Sequence, residues 1–188
     1  QPQWKDVAEQ IESARLSPSA KRVAITARGE VFTVPTDQGS TRNISATAAV
    51  RDYTGIWSKD GTSLAYVTDT GSGQELVIED QSGTRPARRG GLGFYRLLDW
   101  GGDGKTIVYS SNHLELFGFD VATGKSWRIA QSPRRNGDFS AVLSPKGRWL
   151  AYTDRGVNFN ASLNLYDLVS RRAWPVTGEF ADIGSLAF

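Results

Sequence analysis

The sequence has no cysteine and no methionine, one histidine, and no apolar run long enough to cross a bilayer. Without thiols there is no disulfide, no cysteine-bound zinc and no thiol nucleophile. A membrane-spanning helix needs about 18 consecutive apolar residues, so none is expected and no membrane partner with it. With His113 as the single imidazole and no G-x-S-x-G elbow, a Ser-His-Asp site has almost nothing to be built from. A formal charge of +2 gives no electrostatic ground for a nucleic-acid partner. The basic pairs Arg88-Arg89, Arg134-Arg135 and Arg171-Arg172 fall in or near expected loops and read as solvated charges. A chain without methionine that starts at Gln1 is expected to be a processed product or a piece of something larger.

What the chain has in quantity is glycine, at 20 residues, and aromatic side chains, at 11%. Together with frequent Asp and Gly turns this leans towards an all-β chain. One short pattern returns four times: LSPSAKRVAI (16–25), WSKDGTSLAY (57–66), WGGDGKTIVY (100–109) and LSPKGRWLAY (143–152). Aligned on the residue before the turn, Leu16, Trp57, Trp100 and Leu143 stand 41, 43 and 43 residues apart. A period of this size with several strands per unit is the mark of propeller blades.

Each unit holds four strand-like stretches. In the second they are 53–57, 63–67, 75–79 and a weaker outer stretch around 85–88, parted by Gly, Ser and Asp turns. Second strands such as VAIT and LAYV are nearly continuous apolar runs, as expected of strands covered on both faces. The expected fold is therefore an all-β β-propeller of four consecutive four-stranded blades, at about 11–45, 51–89, 94–130 and 138–177. Residues 1–10 read as an incoming linker with at most one helical turn in 5–10. Residues 183–188 read as the first strand of a fifth blade, because Phe188 lies 45 residues after Leu143, where the next anchor belongs. The count points to a partial, open propeller with apolar blade faces at both ends, over closure of the ring by the extra strand.

No catalytic, cofactor or metal residue is expected. The glycines of 88–94 could bring backbone N–H groups to an anion, but the segment lacks the strand-to-helix setting and the Gly-Lys-Ser/Thr ending of a nucleotide loop. The Asp-Gly pairs at 60–61 and 103–104 fit turns better than calcium loops, since Lys59 and Lys105 intrude. Asn43-Ile44-Ser45 and Asn160-Ala161-Ser162 match the glycosylation triplet, which is common by chance. What remains is geometry: the first strand of each blade lines a propeller's channel, and the loops between blades ring its mouths. The polar residues there are Glu12, Arg15, Arg51, Asp52, Arg96, Asp99 and Asp138, a mixed-sign set that suits a wet polar tunnel.

The run SPSAKRVAITARGEVFTVP (17–35), then Arg42-Asn43-Ile44, then WSKDG with Leu64-Ala65-Tyr66, resembles the propeller region of tricorn-like proteases. Phe94-Tyr95 before Trp100, the Asp120–Lys125 turn and WLAY at 149–152 continue the likeness, from about residue 6 to 188. The W-S-P-D-G hairpin is shared with TolB and prolyl-oligopeptidase-type propellers, while ARGEVF after SPSAKR is the more specific piece. The sequence departs at Lys59 and Gly102, where the pattern has Pro, at Ala20, where it has Gly, and at Lys146, where it has an acid. The resemblance fits best the start of the second propeller, and no catalytic residue of the family has a counterpart here. It implies a non-catalytic segment of a serine peptidase that guides or filters peptides and contacts proteins, in the cytoplasm or periplasm of a prokaryote. A TolB-like envelope scaffold that binds protein partners, and a fragment that assembles with another copy of itself in place of missing blades, are the alternatives.

Overall fold

A computed structural model describes residues 8–47, 49–71, 73–81, 94–132, 139–156, 160–179, 183 and 185–188, and the backbone of 87–90. Among them are sixteen strands, β1 (Ile11–Leu16), β2 (Arg22–Ala27), β3 (Glu30–Pro35), β4 (Arg42–Asn43), β5 (Arg51–Trp57), β6 (Ser63–Asp69), β7 (Gln74–Asp80), β8 (Ala87–Gly90), β9 (Tyr95–Trp100), β10 (Thr106–Ser111), β11 (Glu115–Asp120), β12 (Ser126–Gln131), β13 (Ala141–Leu143), β14 (Trp149–Arg155), β15 (Ala161–Asp167) and β16 (Arg172–Pro175). They form four antiparallel four-stranded sheets, each in simple sequence order. This is the all-β blade architecture that the repeat predicts. The chain divides into two compact units, Gln1–Leu92 and Gly93–Phe188, with two sheets in each. The helical turn expected before β1 is a single 3-10 turn, Ala8–Gln10. Residues 183 and 185–188 form no strand. Among the described residues no strand pairs with them.

The recurring motif is the hairpin between the first and second strands, and its hydrogen bonds repeat with the sequence. The residue after the anchor donates its N–H five residues ahead: Ser17 to Arg22 O, Ser58 to Ser63 O, Gly101 to Thr106 O and Ser144 to Trp149 O, all at 2.8–2.9 Å. Where that residue is serine, its Oγ also accepts the returning N–H, at 2.9–3.1 Å in the first, second and fourth hairpins. The fourth turn residue has a positive φ each time: 56° at Ala20, 72° at Gly61, 71° at Gly104 and 70° at Gly147. Glycine takes that conformation without a steric cost, and Ala20 does not. The link from β2 to β3 is a two-residue turn with positive φ at both Arg28 and Gly29, which matches the twist of a hairpin.

Within each unit the two sheets pack face to face. Leu64, Tyr66 and Trp57 of the second sheet, with Val77, cover Ala24, Val31 and Ile44 of the first. Leu143, Leu150, Tyr152 and Tyr166 of the fourth sheet cover Val108 and Leu116 of the third, with Phe139 between them. The face a sheet turns towards its predecessor is here called leading, and the opposite one trailing. Alternation along the strands fixes which residues lie on which face.

Candidate functional site

The first strand of each sheet is where channel-facing side chains were expected. Glu12 on β1 and Arg51 on β5 meet: Arg51 Nη2 donates to Glu12 Oε2 at 3.1 Å, and both side chains remain largely exposed. The Arg51 guanidinium also lies 5.7 Å from the Tyr53 ring centre. β5 packs against β1, β2 and β3, so this pair bridges two blades of the first unit. Asp52, next in the chain, is fully buried and offers no surface to a ligand. Its Oδ2 accepts from Thr47 Oγ1, and its N–H donates to Gly29 O at 2.7 Å.

Arg15 and Asp99 share one place in the repeat, directly before an anchor, and both serve as latches between blades. The Trp57 indole Nε1–H donates to the Arg15 carbonyl at 2.9 Å, across 42 residues. Asp99 Oδ2 accepts the N–H of Leu143 at 2.8 Å, across 44 residues, while Oδ1 accepts from Trp100 N. In both units the donor comes from the next blade's anchor residue. The Arg15 side chain stays exposed, as does Arg96 on β9. Asp138 lies outside the described residues. Of the expected set, the structure thus brings Glu12 and Arg51 together, buries Asp52, and assigns the Arg15 backbone and the Asp99 carboxylate to blade-to-blade bonds.

The remaining polar motifs are absorbed by turns. Asp60 Oδ1 accepts from Ser58 Oγ at 2.6 Å and from Thr62 N at 3.0 Å, and these bonds, the Ser58 one foremost, hold its carboxyl below the usual range. Asp120 caps its turn in the same way, accepting from Thr123 N at 2.7 Å. His113 is exposed in the turn between β10 and β11, two residues before β11 begins. Arg88 and Arg89, read as loop residues at the edge of an outer strand, belong to β8, and residues 91–93 of the glycine-rich segment lie outside the described residues. Asn43 caps the turn to Ala46 N at 3.0 Å, and Asn160 bonds the Glu179 carbonyl at 3.0 Å. Among the described residues no three His, Asp or Glu side chains gather in a way that could hold a metal.

Two features went unread in the sequence. Arg22 fastens the third strand and the loop after it: its guanidinium donates to Thr33 Oγ1 and O and to Ser40 O at 2.7–3.1 Å. Its signal is the Lys-Arg closing the first hairpin motif. The second is Glu79, which is buried and accepts from the Tyr66 hydroxyl at 2.9 Å. Burial, more than that bond can offset, raises its carboxyl above the usual range, with Asp80 and Asp52 adding to the rise. Nothing in the apolar-polar pattern of β7 marks Glu79 as buried.

The family model described as the tricorn protease second beta propeller domain matches residues 11–185. Among solved structures, the crystal structure of the tricorn protease aligns with a TM-score of 0.79 at 20% identity, covering 94% of this chain and 17% of that one. The putative TolB from Agrobacterium tumefaciens aligns at 0.71 and 17% identity, covering 89% and 62%. A puromycin-hydrolyzing peptidase of Mycobacterium tuberculosis aligns at 0.65 and 16% identity, covering 94% and 30%. No curated protein sequence matches. The chain spans about a sixth of the tricorn protease chain it resembles, and with its repeats, hairpins and latches it belongs to the tricorn protease second β-propeller family.

Proposed function

We propose that this propeller segment is a non-catalytic part of a tricorn-like serine peptidase that guides or filters peptides and contacts other proteins. The observation that carries the reading is the pairing of Glu12 with Arg51, charges of both signs held exposed on the first strands of adjacent blades. A mixed-sign, solvated surface holds an extended peptide loosely through its backbone and termini without committing to one sequence. Within the same unit Arg15 extends the exposed polar set, whereas Asp52 is buried in its structural bonds.

The test is binding of fluorescent unstructured peptides to the 188-residue chain, read by anisotropy, alongside a hydrolysis assay on peptide and ester substrates. Weak, broad peptide binding is expected, with Arg51→Gln reducing the affinity for acidic peptides about threefold, the effect of one exposed charge. Robust hydrolysis that disappears on mutating a single serine overturns the non-catalytic assignment. Absence of peptide binding together with tight capture of a folded protein overturns the guiding role in favour of a scaffold.

A further inference from the structure

The two sheets of the first unit do not meet through apolar side chains alone. Gly55 of β5 sits against Ala24 and Val31, where an added Cβ would come within 3.2 Å of Val31 Cγ1. From there towards the β2–β3 turn the facing residues become polar. On the leading face of the second sheet, register sets Asp52, Thr68 and Glu75 in one cross-strand row over β5, β6 and β7. On the trailing face of the first sheet, Thr26 pairs with Val31 and shares its side. The Asp52 N–H reaches the Gly29 carbonyl at 2.7 Å, which brings Asp52 level with the end of β2 that carries Thr26.

Three oxygens at this end of the interface are buried without a hydrogen-bond partner: Thr26 Oγ1, Asp52 Oδ1 and Glu75 Oε2. Thr26 and Asp52 are 1% and 0% exposed. The other Asp52 oxygen accepts from Thr47 Oγ1, and buried Thr68 stands between the two acids. Among the described residues no ion pair reaches either carboxylate. A buried carboxylate left this way is costly, and such groups are kept where they are paired or coordinate a metal. The donors are two carboxylates and hydroxyls, with no nitrogen or sulfur, which selects a hard cation. Neighbouring strands lie about 4.8 Å apart, so Asp52 and Glu75 are about 10 Å apart at the backbone, with room for one ion between their side chains. Calcium, with long bonds and irregular coordination, accepts such a set more readily than magnesium.

We propose that the first unit binds one calcium ion between its two sheets, held by Asp52, Glu75 and the Thr26 hydroxyl. Asp52 is closed to a ligand in the channel, but Glu75 is only half-buried, so the ion enters from the β7 side. With Thr26 on one sheet and both acids on the other, the ion ties the first blade to the second. The second unit lacks the set. Leu150 repeats Leu64, so Asp154 stands in the place of Thr68 and Ser162 in that of Glu75. Phe139, one residue before the Ser140 carbonyl that takes the Thr153 N–H, replaces Asp52. A row with one carboxylate holds no calcium, and one ion per chain is expected.

The experiment is calorimetric titration of calcium chloride into the 188-residue chain after EDTA treatment and desalting, with melting curves with and without calcium. One site with a dissociation constant of about 10⁻⁴ M is expected. Saturating calcium should raise the melting temperature by about 5 °C. Asp52→Asn and Glu75→Gln should each weaken calcium binding at least about tenfold, while Asp37→Asn, on an exposed loop, leaves it unchanged. Thr26→Val removes the lone hydroxyl, so it should melt higher than the wild type without calcium and gain less from it. Glu75 Oε2 has no hydrogen bond to lose, so Glu75→Gln decides the matter even where Asp52→Asn fails to fold. A chain that neither takes up calcium nor melts higher in its presence overturns the proposal. So does calcium uptake that Glu75→Gln leaves intact, because the ion then sits elsewhere.

Discussion

The two blade junctions have the same plan, yet they close by different chemistry. In the first unit the anchor is Trp57, whose indole reaches back to the Arg15 carbonyl. In the second the anchor is Leu143, which has no side-chain donor; its backbone N–H is taken instead by the Asp99 carboxylate. The acceptor stands at the same repeat position both times, one residue before the preceding anchor. The hairpin turns differ in parallel. Lys59 in the first unit occupies a site where Gly102 stands in the second, and a Cβ on Gly102 would come within 1.9 Å of the Pro145 carbonyl oxygen. The repeat therefore keeps a position and a bond direction, while the atoms that fill them are free to change. Of the departures from the family's hairpin pattern, Gly102 is matched to its neighbour Pro145, whereas Ala20 keeps a positive φ that glycine would take without cost.

The largest test of this contrast is Gly102→Ala. The clash is with backbone, which gives way poorly, and a loss of about 3 kcal/mol by thermal or urea unfolding is expected. Lys59→Ala at the equivalent site should change stability by less than about 0.5 kcal/mol. Next is Asp99→Ala, which leaves the N–H of buried Leu143 without its acceptor and should cost about 2 kcal/mol. Trp57→Phe removes the corresponding bond in the first unit. The freed acceptor lies on the exposed strand β1, where water can replace the indole, so about 1.5 kcal/mol is expected. An equal or larger cost than at Asp99 would mean that the indole's packing, and not its bond, holds that junction. Ala20→Gly should stabilise the chain by about 0.5–1 kcal/mol, since glycine relieves the positive φ that the other three hairpins already assign to it.

The smallest effect expected is at Glu79. A carboxyl raised above its ordinary value binds more protons in the folded chain than in the unfolded one, so stability falls as pH rises through that window. Glu79→Gln keeps an acceptor for Tyr66 and removes the penalty. Its melting temperature should exceed that of the wild type by about 1–3 °C at pH 7, with the gain vanishing below the ordinary carboxylate range. A gain that persists in acid would show that the carboxylate's charge is not the cause.

The fold was legible because the repeat writes each hairpin in residues whose reasons are local. Ser17, Ser58 and Ser144 supply the hydroxyl acceptor, and the glycines at 61, 104 and 147 supply the positive φ. No contact beyond five residues is needed to see it. The site was legible only in its placement. Sequence located Arg15, Asp52 and Asp99 near blade junctions, but whether a group there faces water or a neighbour depends on atoms of other segments, up to 44 residues away. Asp52 is buried because Thr47 and the Gly29 carbonyl close over it. Asp99 is used because the backbone N–H of Leu143, which has no side-chain donor, needs an acceptor. The strand expected at 183–188 carries the right apolar spacing, but spacing does not provide the neighbour that a strand needs.

The outermost strands carry a shared feature with a consequence for how the molecule behaves in a crowded solution. Each of the four has arginine: Arg42 on β4, Arg88 and Arg89 on β8, Arg128 on β12 and Arg172 on β16. An unpaired sheet rim is a template for fibril growth, and rim-to-rim contact between copies would set cation beside cation. β4 is two residues long, and β16 ends in Pro175, which has no N–H to offer. Arginine on each outermost strand thus opposes edge-to-edge pairing of sheets between copies.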